Sequence, residues 1–295
     1  MWQIIGAGAI GCLWAANLLR NGEKIQLITR TPCAADTLKY QNIAKQQFNF
    51  PVSTSRTLTR TTDPILICVK ATQVIEAITT HKNAIDPRQV IILMHNGMGC
   101  AEQVEKLLPD NPILCATTAN ASLLHSPLNI EQTGEGVTYL GAYNDKGRLQ
   151  QSLIVPLNFA LPNTHWCEDV NEKLWLKLII NMAINPLTAI HQIKNGQLDN
   201  TIFQIKINEL IDEALQVAKA EGVIFKKQEI LAIINQVITL TAENFSSMNR
   251  DVFYQRHTEN EFIAGYLLKS ANFHHIDTPV INYLYQQIKA LEQAY

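Results

Sequence analysis

Lys177, Asn181 and Asn185 recur at intervals of four in an otherwise apolar run, Leu174-Trp175-Leu176-Lys177-Leu178-Ile179-Ile180-Asn181-Met182-Ala183-Ile184-Asn185-Pro186. On a helix this spacing sets the three along one narrow face. A helix apolar on its other sides is normally buried. A polar group left there without a partner costs about 1–3 kcal/mol, and an ammonium more. The stripe therefore points to a polar cleft or a ligand. There a lysine can stabilise negative charge developing on oxygen and deliver a proton to it. The alternative is a narrow solvent-facing stripe, but such faces usually mix Glu, Lys and Gln, and asparagine is a poor helix former. Pro186 is expected to kink or end the helix beside Asn185.

A second polar cluster, Glu243, Asn244 and Ser247, lies in Ala242-Glu243-Asn244-Phe245-Ser246-Ser247-Met248, with Asn244 and Ser247 three apart on one expected helix face. Arg256-His257-Thr258-Glu259 follows and leads into the apolar Phe262-Ile263. Thr258 fits a helix N-cap, a role that needs no function. The histidines form no metal-ligand constellation, and the chain has neither a nucleophile elbow nor a P-loop.

Near the start, Gly6-Ala7-Gly8-Ala9-Ile10-Gly11 follows a strand-like run and opens a helical one. In that context G-x-G-x-x-G is a dinucleotide-binding turn. Gly6 permits the tight turn, Gly8 lets backbone approach a pyrophosphate, and Gly11 lets helix pack on sheet. The N–H groups around Ala9 and Ile10 then face the phosphates at the positive end of the helix. The next strand ends in Leu27-Ile28-Thr29-Arg30-Thr31, where an NAD site would place Asp or Glu for the ribose 2′-hydroxyl. An acidic group would repel a 2′-phosphate, whereas Arg30 can grip one, so NADP(H) is favoured over NAD. Val69-Lys70-Ala71-Thr72-Gln73 and His95-Asn96-Gly97-Met98-Gly99 also follow strand-like runs, at the strand ends where open α/β sheets bind ligands. Lys70 suits phosphate, ribose or a carboxylate, and Asn96 suits a carboxamide or hydroxyl. Gly97 and Gly99 allow close approach. Taken singly, each of these residues is equally a turn residue.

These groups need two kinds of scaffold. Trp2–Ile5, Ile25–Thr29, Ile65–Val69, Val90–Met94 and Ile113–Thr117 read as short apolar strands, separated by helical spacing near Gln73–Thr80 and Cys100–Leu107. That alternation is the pattern of a parallel sheet covered on both faces. Residues 118–142 read as further strands, partly antiparallel, at the far side of the sheet. Helical periodicity then takes over at 170–190, 200–221, 227–248 and 278–293. Ten of the 13 glycines and nine of the 11 prolines precede residue 163. Turn-rich and helix-rich parts thus divide into a Rossmann-type α/β domain over 1–167 and an all-α domain over 168–295.

The 295 residues carry a formal charge of −2, with 47% hydrophobic and 17% charged residues. Near-neutrality argues against nucleic-acid binding, and the apolar content against disorder. No charge precedes Arg20. A secretory signal needs basic residues before its apolar core, so this stretch reads as strand, phosphate turn and helix. No other window is apolar for 18 residues, and no membrane partner is expected. The six cysteines, Cys12, Cys33, Cys68, Cys100, Cys115 and Cys167, form no CxxC pair. They read as buried free thiols, which fits a cytoplasmic location.

The ordered motifs resemble the ketopantoate reductase family, also called 2-dehydropantoate 2-reductase. They are GAGAIG at 6–11, Arg30, VKATQ at 69–73, HNGMG at 95–99, W-x-K-L-x-x-N-x-x-x-N-P-L-T-A at 175–189, AENFSSM at 242–248 and RHTENEF at 256–262. The resemblance implies a Rossmann domain and a helical domain with the active site in the cleft between them. It also implies NADPH-dependent reduction of 2-dehydropantoate to (R)-pantoate, on the way to pantothenate and coenzyme A. By resemblance Lys177 is the general acid/base and Glu259 binds the substrate hydroxyl. Asn96, Asn181, Asn185, Ser247 and Asn244 position the substrate. Gly6, Gly8, Ala9, Ile10, Gly11, Arg30, Lys70, Gln73 and Asn96 contact the cofactor. Asn260 departs from the pattern, because an apolar residue is expected after the glutamate. The expected partner is a small 2-keto acid, and a homodimer stays open. Two other readings stay open too: a reductase of another branched 2-keto acid on this scaffold, and a non-catalytic NADP-binding sensor.

Overall fold

The computed structural model describes residues 1–31 and 36–295. Cys33 lies outside the described residues. The chain divides into two compact units. One is Met1–His95 with Cys100–Lys173, and the other is Asn96–Gly99 with Leu174–Tyr295.

The first unit opens with β1 (Trp2–Ile5), α1 (Ala9–Arg20) and β2 (Ile25–Ile28). There follow β3 (Thr37–Gln41), β4 (Gln47–Pro51), β5 (Thr54–Ser55), β6 (Ile65–Ile67), α2 (Ala71–His81), β7 (Ile91–Leu93) and α3 (Cys100–Leu107). It continues through β8 (Ile113–Thr118), β9 (Ala121–Ser126), β10 (Asn129–Gly134), β11 (Thr138–Ala142), α4 (Ile154–Ala160) and β12 (Thr164–Trp166). Eight strands form one sheet in the order β12-β11-β8-β7-β6-β1-β2-β5. It is parallel except where β11 runs antiparallel to β8. The chain leaves β1 in one direction for β2 and later returns on its other side as β6. That reversal makes the carboxyl end of β1 the switch point at which such sheets bind ligands. The strands β6 and β7, Ile-Leu-Ile and Ile-Ile-Leu, are buried throughout, as strands covered on both faces must be.

A second sheet, in the order β4-β3-β10-β9, corrects the expectation for 118–142. Only β11 extends the main sheet. The segments β9 and β10 pair instead with the hairpin β3–β4, through parallel β10–β3 register. This small sheet explains the charge-free start of the chain. The helix α1 packs on β1 and β2 and also touches β3, β9 and β10, so Leu13, Trp14, Ala15, Ala16 and Leu18 are all fully buried. A helix packed against strands of both sheets and against α4 has no face left for a charge. It closes at Asn21-Gly22, where Gly22 has φ +82° and Glu23 N–H donates to Leu18 O at 3.0 Å.

The second unit is helical. It comprises α5 (Val170–His191) from Leu174 onward, α6 (Thr201–Ala220), α7 (Lys227–Leu240), α8 (Ser247–Phe253), α9 (Asn260–Phe273) and α10 (Pro279–Glu292). Leu178, Ile179, Met182 and Ala183 of α5 form its core with Leu210, Ala214, Leu267 and Leu284. Two expectations are corrected. Pro186 does not end α5, which continues to His191. The expected helix over 227–248 stops at Leu240. Beyond it the backbone bonds outward, with Ala242 O and Asn244 O accepting from Gly196 N (3.1 Å) and Asn195 N (2.9 Å). Ser246 Oγ then accepts from Asn249 N at 3.1 Å and starts a new helix, α8. Serine and asparagine compete with helix geometry in this way.

Glu213, mid-way along α6 and buried, accepts from Val280 N and Ile281 N, both at 2.9 Å. Its carboxylate satisfies first-turn donors of α10 from a distance and favours the positive end of that helix. Glu213→Ala is expected to lower unfolding free energy by about 1–3 kcal/mol in urea titrations, because the buried donors lose their acceptor. Glu209→Ala, on the exposed side of the same helix, is expected to stay within about 0.5 kcal/mol of the parent.

Candidate active site and cofactor turn

In the first unit, the glycines between β1 and α1 are required for different reasons. A Cβ on Gly11 would sit 1.9 Å from Gly6 O, so backbone occupies the place of a side chain. Gly6 has φ +104°, and a Cβ there would come within 2.8 Å of Val69 Cγ1. The fold itself needs both. At Gly8 a Cβ would meet nothing within 4 Å, and its φ of −79° suits any residue. Protein packing therefore gives no reason for glycine at that position, whereas a phosphate pressed against the backbone does. No side chain caps α1, its first turn has no acidic residue, and Ala9 and Ile10 are half-buried. The turn thus fits a dinucleotide pyrophosphate: open backbone, uncapped helix donors and the positive end of a dipole.

Val69 brings the next segment beside this turn, and Cys68 N donates to Ile5 O at 2.9 Å. Lys70 occupies the N-cap position of α2, and Gln73 N donates to its carbonyl at 2.8 Å. Both side chains are half-buried, while Arg30 is exposed just after β2. Burial pushes the Cys68 thiol well up and the Cys115 thiol up to about 12, so neither is a nucleophile near neutrality.

In the second unit the Asn96–Gly99 loop is fastened to α9. Met98 N donates to Phe262 O at 2.8 Å, and a Cβ on Gly97 would lie 2.5 Å from that same oxygen. Gly97 (φ +81°) and Gly99 (φ +96°) also adopt left-handed backbone. The close approach these glycines permit is that of α9. Tyr266 of α9 lies against Gly99 and edge-on to Trp175 of α5, with ring centroids 5.9 Å apart. Fixed in this way, Asn96 donates from Nδ2 to Glu259 Oε2 at 3.0 Å.

The polar stripe of α5 is drawn inward. Lys177 and Asn181 are half-buried, and Asn185 is buried. Loss of water around Lys177 pushes its ammonium down to about 8, opposed by attraction to the Glu259 carboxylate. Desolvation is the larger effect. Glu259 is itself buried, just ahead of α9. Lys177, Glu259 and Asn96 are therefore one electrostatic group: an ammonium made a stronger acid by burial, a carboxylate that partly restores its hold on the proton, and an amide that orients the carboxylate. Thr258 Oγ1 accepts from Asn260 N at 3.0 Å, but Glu259 takes the N-cap position of α9 and no side chain caps that helix, which corrects the expectation of a Thr258 cap. Asn260 is buried where an apolar residue was expected, and its Nδ2 donates to Tyr285 O at 3.1 Å.

Asn244 and Ser247 do not share a helix face. Asn244 lies in the loop before α8, Ser247 is its first residue, and both are exposed. The buried serine is the neighbouring Ser246, which bonds Thr188 Oγ1 at 2.7 Å while capping α8. A serine three residues before Asn249 was a readable capping signal.

Family profiles match almost the whole chain: "Ketopantoate reductase PanE/ApbA" over residues 2–145 and "Ketopantoate reductase PanE/ApbA C terminal" over 169–292. The 2-dehydropantoate 2-reductase of Vibrio cholerae is 37% identical over 292 residues, covering 99% of this chain and 98% of the relative. The chain belongs to the ketopantoate reductase family. The Escherichia coli O157:H7 2-dehydropantoate 2-reductase is 31% identical, covering 99% of this chain and 95% of its own. Among solved structures, a probable 2-dehydropantoate 2-reductase from Bacillus subtilis superposes with a TM-score of 0.83 at 26% identity, covering 99% of each chain. D-mandelate dehydrogenase, solved with NADH and anilino(oxo)acetate, superposes at 0.91 with 21% identity over 100% of this chain and 99% of its own, a likeness of fold. No helix among the described residues is long and apolar enough to cross a membrane.

Titration of 13Cε-labelled lysines by NMR is expected to give Lys177 a midpoint near pH 8, far below the solvated lysines. Glu259→Gln is expected to move that midpoint further down, because the charge that favours the ammonium is gone. A midpoint near 10.5 in the parent protein would contradict the burial of Lys177.

Proposed function

We propose that this protein reduces the 2-keto group of 2-dehydropantoate to (R)-pantoate with NADPH, in the cytoplasm and on the way to pantothenate and coenzyme A. The observation that carries this reading is the desolvated Lys177 ammonium held in attraction to the Asn96–Glu259 pair. Family membership and the relatives of that name support it. A reduced nicotinamide supplies the hydride in this reaction. As charge builds on the ketone oxygen, Lys177 Nζ stabilises it and transfers a proton, leaving a neutral amine. The lowered proton affinity of Lys177 makes this transfer easier near neutral pH. Glu259 accepts from the substrate hydroxyl and is oriented by Asn96. Asn181, Asn185, Ser247 and Asn244 hold the remaining polar atoms of the substrate.

For the cofactor, Gly6, Gly8, Ala9, Ile10 and Gly11 take the pyrophosphate, with Lys70, Gln73 and Asn96 as further contacts. The absence of an acidic residue at the end of β2, and the presence of Arg30 there, support NADPH over NADH. The proposal includes a homodimer, the state described for a Staphylococcus aureus ketopantoate reductase of the same fold.

Turnover of a 2-keto acid panel with NADPH tests the substrate, and a ketopantoate kcat/KM no higher than those of simple keto acids would reject it. Lys177→Ala is expected to lower kcat by about 10²–10⁴-fold with NADPH binding close to the parent's. The protonated donor is present below its midpoint and lost above it, so ketone reduction is expected to decline as pH rises through about 8, and pantoate oxidation to increase. Arg30→Asp is expected to raise the NADPH Kd at least tenfold more than the NADH Kd. Equal effects on both would remove the argument for NADPH.

A further inference from the structure

Thr29 carries a hydroxyl without a partner among the described residues. Its Oγ1 is closed off from solvent and makes no hydrogen bond among the described residues. The backbone around it is tied in place, as Thr29 N donates to Ser55 O at 2.9 Å and Gly6 N donates to the preceding Ile28 O at 3.0 Å, while rotation about χ1 still lets the hydroxyl turn. Thr29 is thus pinned beside the glycine turn, directly after β2. A hydroxyl buried in this way costs about 1–3 kcal/mol. Valine has nearly the same shape and would avoid that cost.

Strand alternation gives the direction of the group. Ile25 and Leu27 belong to the core cluster that includes Leu13, Trp14 and Ala15 of α1. Thr29, two residues further, follows them onto the α1 face, at the end where the phosphate turn lies. In dinucleotide-binding sheets of this kind, the residue at the end of the second strand reaches the 2′ position of the adenosine ribose. An aspartate there accepts from a 2′-hydroxyl. A threonine can instead donate to a 2′-phosphate oxygen, which an aspartate would repel.

We infer that Thr29 is a binding residue for the cofactor: its Oγ1–H donates to the 2′-phosphate of NADPH and works with Arg30, which supplies the charge. Thr29 is then a determinant of NADPH preference. This inference rests on the proposed NADPH-dependent reading.

Thr29→Val and Thr29→Ser test it, with Kd values for NADPH and NADH from isothermal titration calorimetry and the Tm of the apoprotein. In Thr29→Val the NADPH Kd is expected to rise about 10-fold, the gain from one hydrogen bond to a charged group. The NADH Kd is expected to change less than about 2-fold. The apoprotein Tm is expected to hold or rise, since no bond within the protein is lost. Thr29→Ser keeps the donor and is expected to bind NADPH nearly as the parent does. The inference is overturned if Thr29→Val binds NADPH unchanged, if NADH weakens equally, or if the apoprotein Tm falls, which would reveal a structural partner for the hydroxyl. A parent protein that bound neither dinucleotide would instead overturn the proposed function itself.

Discussion

The charged group of the helical unit depends on a clasp between backbones. Met98 N–H reaches Phe262 O only because Gly97 has no side chain, since a Cβ there would lie 2.5 Å from the same oxygen. The clasp holds the Asn96–Gly99 loop on α9. That places the Asn96 amide on Glu259, and Glu259 in turn offsets part of the cost of burying Lys177. Each step is weak alone. Together they keep a charged lysine on an apolar helix without neutralising it at physiological pH.

Space rather than charge governs the first unit. Gly11 exists so that α1 can lie against the end of β1, and the apolar faces of α1 exist because strands of both sheets and α4 pack against it. Of the three glycines in the turn, Gly8 is the one that packing does not demand. The contrast separates what the fold requires of this turn from what a ligand requires.

Legibility in the sequence followed the range of the interactions. The strands Trp2–Ile5 and Ile91–Leu93 and the helix Cys100–Leu107 could be read because apolar runs and local periodicity determine them. The Lys177 stripe could be read for the same reason, as polar residues in an apolar helix are conspicuous. The four-stranded sheet could not, because its β10–β3 pairing joins Asn129 to Lys39 across the chain, and its strands have no long apolar run. The break after Leu240 was hidden by a periodicity that runs past it, although Ser246 carried a capping signal. The family resemblance pointed to Asn96 and Glu259 separately, but their contact across 163 positions was not visible. The orphaned Thr29 hydroxyl was not visible at all, since a missing partner is a property of three dimensions.

The hydrogen bond from Asn96 to Glu259 spans 163 positions of sequence. A long chain loop must close before that bond forms, and closure entropy is spent before the contact returns anything. The helical segment from Leu174 onward can gather its own core from neighbouring helices, but its carboxylate gains its orienting amide only once the loop after β7 has docked. In this protein the Asn96–Glu259 pair is therefore among the last features expected to assemble during folding.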